Sequence, residues 1–116
     1  MNEKEKLFYE FLEERKSQVQ AEVNELAAQD RTDESNILKA KFNIYDIANA
    51  VLGASSKSSP EDKLKEAFLK TFGNISRQWK RAQEQAKAHD DSYKILIEEA
   101  KFSAVTEILD KVNELF

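Results

Sequence analysis

One stretch, Ser59 to Ala88, limits the fold more than any other. Its apolar residues fall at Leu64, Phe68, Phe72, Ile75, Trp79, Ala82 and Ala86, in steps of three and four. That spacing draws a single stripe down one side of a long helix. A stripe of this length is not stable alone in water, so the rest of the chain must cover it. Its start is marked by Ser59-Pro60-Glu61-Asp62. Ser59 suits an N-cap, Pro60 the first helical position, and the two acids the positive end of the helix dipole. Gly73-Asn74 lies inside the stripe. The stripe keeps its phase across the glycine, so the helix is expected to pass through, straight or bent, with a full break as the lesser alternative.

Three more segments show the same period. Residues 3–29 carry Leu7, Phe8, Phe11 and Leu12, then Val19, Val23 and Leu26. Residues 34–52 are apolar over more than half of a helical wheel, so this segment should be the most buried. Gly53 follows it as a candidate left-handed cap, and residues 54–59 read as a flexible linker. Thr32 or Asp33 is a candidate N-cap for the second helix, and Asp90 or Asp91 for the fourth. Residues 92–116 step through Phe102, Val105, Leu109, Val112 and Phe116. No internal repeat is evident from the residues.

With two glycines and one proline in 116 residues, the chain has little punctuation for short strands. The expected fold is therefore a single all-α domain. It is an antiparallel up-down-up-down four-helix bundle, with helices at 3–29, 34–52, 60–88 and 92–116. In that topology Leu7, Phe8, Phe11, Leu52, Leu64, Phe68, Val112 and Phe116 gather at one end. Ala27, Leu38, Ala82, Ala86 and Tyr93 gather at the other.

Function is far less constrained. The chain has no cysteine, which removes thiolate zinc sites and a cysteine nucleophile. Its one histidine, His89, lies beside Asp90 and Asp91 in a polar corner and matches no ligand spacing. The acidic pairs, Glu13-Glu14 and Glu98-Glu99 among them, read as solvated helix faces. No phosphate loop, serine elbow or zinc-protease motif occurs, so neither an enzyme nor a cofactor is expected. No apolar run suits a membrane span and no signal peptide is evident, which suggests a soluble cytoplasmic chain.

Charge is uneven. Residues 54–88 hold eight basic and four acidic side chains, a net of +4 in a chain whose total is −4. Arg77, Lys80, Arg81 and Lys87, with Lys70, recur near one outward helix face. They form either a strip for an anionic partner or one side of ion pairs within the bundle. The overall negative charge argues against general nucleic-acid binding. Lys41 lies amid the apolar arc of the second helix and Asn49 at its edge, as a polar pair or as a snorkelling lysine. Trp79 stands where the third stripe thins, as core or as a half-exposed anchor. The expected role is a small non-enzymatic protein that binds another protein or a second copy of itself as a homodimer. The alternative is anion or nucleic-acid binding through the basic face of helix three.

Overall fold

All four periodic segments are helical in a computed structural model that describes residues 3–116. The helices are α1 (Glu3–Ala28), α2 (Thr32–Ser58), α3 (Leu64–Ala88) and α4 (Ser92–Leu115), with a 3₁₀ turn over Glu61–Lys63. They form an antiparallel four-helix bundle with no strand among the described residues.

Three boundaries differ from expectation. The second helix does not stop at Gly53 but runs on to Ser58, so most of the expected linker is helix. No glycine has a positive φ. The serines and Lys57 are tolerable helix formers, and Ser55 is buried against the bundle, so packing carries the helix past the glycine. Likewise Ser59 and Pro60 are extended residues between helices, and the chain enters α3 through the 3₁₀ turn. Ser59 therefore ends α2 and does not cap α3. Neither Thr32 nor Asp33 caps α2, because Arg31 occupies that position without a side-chain bond. At the fourth helix Asp91 is the N-cap, accepting from the Lys94 amide at 3.0 Å. The third helix continues through Gly73 as expected.

The two tight corners are the same structure used twice. Asp30 and Asp90 are the only described non-glycine residues with positive φ, at 59° and 52°. Each follows its helix in the left-handed position of a Schellman cap. The Arg31 amide donates to Leu26 O at 2.9 Å, and the Asp91 amide donates to Ala86 O at 3.2 Å. All of these residues are related by a shift of sixty. The same shift superposes Ala28-x-Asp30, Ile37 and Ala40-Lys41-Phe42 on Ala88-x-Asp90, Ile97 and Ala100-Lys101-Phe102. It also superposes part of the core: Phe8 with Phe68, Leu12 with Phe72, Ile44 with Ala104, Tyr45 with Val105, Ala48 with Ile108 and Leu52 with Val112 are all buried. The residues alone show no internal repeat; the correspondence between the hairpins is one of position. The chain is two helical hairpins, α1–α2 and α3–α4, built on one plan.

The hairpins join through α2 and α4, which run parallel. Tyr93 Oη donates to Asp33 O at 3.4 Å near one end of this seam, and Tyr45 Oη donates to Glu107 Oε1 at 3.1 Å further along. Corresponding residues along the seam differ in size: tyrosine answers valine and isoleucine answers alanine, which lets unequal side chains fill one space. Because α2 contacts all three other helices, its wide apolar arc is used inside the bundle and is the most buried, as expected. The aromatic end forms as expected, with Phe8 meeting Phe68 edge-on at 5.1 Å and Phe116 at 6.3 Å. Leu7 is the exception and lies 44% exposed. At the other end Ala86 is buried and Leu38 and Ala82 are half-buried, but Ala27 and Tyr93 are on the surface.

Candidate interaction face

The residues singled out from the sequence do not converge on one site. On α3, Lys70, Arg77, Lys80, Arg81 and Lys87 are all exposed. Among the described residues none has a carboxylate within ion-pair distance, and Arg77 bonds Asn74, one turn back on its own helix. Pairing across the bundle, the other meaning these charges could carry, does not occur. All five are exposed to solvent rather than packed against a neighbouring helix. Trp79 is half-buried and sits edge-on to Phe72 at 5.9 Å, so it is chiefly part of the core. Lys41 and Asn49 do not form a pair. Asn49 donates to Glu13 on α1, and Lys41 is half-buried with no carboxylate within reach. Its counterpart Lys101 does have one, because position 98 is glutamate where position 38 is leucine.

That glutamate corrects another expectation. Glu98 is not solvated: it is 5% exposed, with Oε1 3.3 Å from Lys101 Nζ and Oε2 buried without a hydrogen-bond partner. Glu5 is buried too. Glu99, Glu10 and Glu14 are exposed, as read from the sequence. The comparison of position 38 with 98 is the one sequence signal that could have shown Glu98 facing inward.

The strongest polar cluster was not anticipated. Arg15 Nε donates to Glu107 Oε1 at 2.7 Å, the same oxygen that accepts from Tyr45. The guanidinium also lies 5.5 Å from the centre of the Tyr45 ring. Burial raises the Tyr45 pKa, against the lowering effect of its bond with Arg15. On Arg15 burial acts to lower the pKa, but bonding with Tyr45 and Glu107 outweighs it and the net direction is up. Lys16 is raised by its hydrogen bond to Asp46. This cluster ties α1, α2 and α4 together.

His89 is exposed in the second corner, and no group of three histidine or acidic residues among those described is placed to hold a metal. A shallow basin of about 830 Å³ lies beside the first turns of α1 and α3, with Leu7, Leu115 and Phe116 among its lining. No described helix is long and apolar enough to cross a membrane.

What distinguishes the surface is an asymmetry between the hairpins. Lys16 spans the α1–α2 groove, bonding Asp46 at 3.0 Å and lying 5.8 Å from the centre of the Phe42 ring. The corresponding phenylalanine, Phe102, is 42% exposed, because Ser76 and Thr106 stand where Lys16 and Asp46 do. The fold and this face together define a repeat of two helical hairpins with one hairpin left open. In comparisons with known proteins, no family model, no curated protein and no solved structure matches the chain.

Proposed function

We propose that the chain is a small non-enzymatic helical protein that binds another protein, using the outer face of its α3–α4 hairpin. The observation that carries this reading is that the second hairpin leaves bare what the first one covers. An exposed phenylalanine and exposed cations on the same hairpin are an ordinary composition for the centre and rim of a protein contact. A cysteine-free chain suits the cytoplasm, and no step of the reading calls for a cofactor.

The test is site-specific photocrosslinking. A benzophenone amino acid at position 102 should give a discrete adduct in cells, and the same group at position 20 on the first hairpin should not. Equal yields at both positions would remove the reading. Light scattering on the purified chain separates an adduct with a second copy from one with a different protein.

A second reading has its own support. The unpaired cations from Lys70 to Lys87 extend over roughly 25 Å of helix, which is a reach suited to several phosphates. Binding of this kind would fall steeply with salt and vanish when Arg77 and Arg81 are both neutralised. A filter-binding titration with single-stranded DNA at two salt concentrations decides it.

A further inference from the structure

The two outer grooves of the bundle are built from corresponding positions and differ in what fills them. Between α1 and α2, Lys16 reaches Asp46 and lies over Phe42, and Glu13 accepts from Asn49. The shift of sixty converts these residues to Ser76, Thr106, Phe102, Gly73 and Leu109. A long cation becomes a hydroxymethyl group, its carboxylate becomes a hydroxyl, and a glutamate side chain becomes a hydrogen atom. Neither hydroxyl crosses the groove. Ser76 Oγ donates back to Gly73 O at 3.0 Å, and Thr106 Oγ1 donates back to Phe102 O at 3.0 Å. A Cβ placed on Gly73 would meet no atom within 4 Å. The roof of the first groove is absent from the second.

The chemistry around the open groove names its occupant. Continuing along α3 from Ser76 in steps of four and seven brings Lys80 and Lys87, both exposed and both without a carboxylate within ion-pair distance. Arg77 and Arg81 lie next to them on the outward side. We infer that the α3–α4 groove receives an amphipathic helix from another protein, its apolar edge over Phe102 and Gly73 and its acidic flank against Lys80 and Lys87. A second copy of this chain is a poor occupant. Its other exposed large apolar residues, among those described, are Leu7, Tyr9, Tyr93 and Leu96. These are two short pairs on separate helices, and neither makes a stripe long enough to fill a groove.

This inference rests on the protein-binding reading above and adds the chemistry of the partner. It is tested with a fluorescent, amidated 20-residue helix carrying leucines at three- and four-residue spacing and glutamates on the flanks. The controls are the same helix with lysines for glutamates and a 20-nucleotide single strand of DNA. The glutamate helix should bind the full chain, and the two controls should bind at least tenfold more weakly. The double variant S76K/T106D rebuilds the roof of the first hairpin and should weaken glutamate-helix binding at least tenfold while the melting temperature holds. G73Q, which fills the groove without adding charge, should do the same and serves if the double variant misfolds. Undiminished binding to both variants, or stronger binding of either control, overturns the inference. Adducts at position 102 without glutamate-helix binding would remove only the acidic-helix partner. The absence of both would remove the protein-binding reading as well.

Discussion

Phe42 and Phe102 occupy the same place in successive hairpins, yet only Phe42 lies under a cation, the Lys16 ammonium 5.8 Å from its ring centre. Burial of the ring and its cation contact make F42A the costlier truncation. We expect F42A to lower stability by about 2 kcal/mol and F102A by less than about 1 kcal/mol. Urea unfolding followed by circular dichroism measures both. Equal losses would show that Phe102 is as well packed as its counterpart.

Replacing Glu98 by leucine, the residue at the corresponding position 38, should stabilise the protein. The substitution removes a buried carboxylate whose Oε2 has no partner and leaves Lys101, which is half-exposed, free to reach water. A gain of about 1–2 kcal/mol is expected, from the general finding that well-packed apolar groups equal or better a buried ionic one. Loss of stability in E98L would mean that the carboxylate makes a necessary bond.

Tyr45 makes stability fall at high pH. Its folded pKa is raised by burial, so the unfolded chain releases the phenolic proton first. The contribution is fully present below the ordinary tyrosine value of about 10 and is lost as pH climbs through the folded value. Lys16, also raised, acts in the same direction. Y45F should cost about 1 kcal/mol at neutral pH, from the lost bond to Glu107. It should also decline less steeply between about pH 10 and 11. Thermal melts of both proteins across that range provide the check, and parallel slopes would contradict it.

Asp30 and Asp90 should respond alike to glycine. Both hold a left-handed backbone that glycine adopts without steric penalty. D30G and D90G are each expected to be neutral or to stabilise by up to about 1 kcal/mol, and the alanine variants to destabilise by about 1 kcal/mol. Opposite behaviour at the two corners, read from melting temperatures, would argue against their equivalence.

The helices and their order were legible because a three-and-four apolar spacing has only one economical explanation in a chain this poor in glycine and proline. The ends were less legible. Gly53 looked like a stop because glycine is the commonest left-handed cap, yet tertiary contact at Ser55 carried the helix onward. The repeat escaped notice because its strongest identities, Asp30 with Asp90 and Ala40-Lys41-Phe42 with Ala100-Lys101-Phe102, are few. Its real content is positional: six pairs of corresponding core positions, from Phe8 with Phe68 to Leu52 with Val112, stay inside while most exchange their sizes. The open groove was invisible for the same reason. Ser76 and Gly73 carry no signal by themselves and gain meaning only beside Lys16 and Glu13. The cations of α3 were found from charge alone, but only the structure could show that no acid answers them.

The extended joint at Ser59 and Pro60 has a consequence of its own. Each hairpin meets its sister along α2 and α4, and that seam does not depend on which chain supplies which half. If the joint straightened, two molecules could trade halves and form the same seams again between chains. Joint length and stiffness therefore govern whether this architecture closes upon itself or knits with a neighbour.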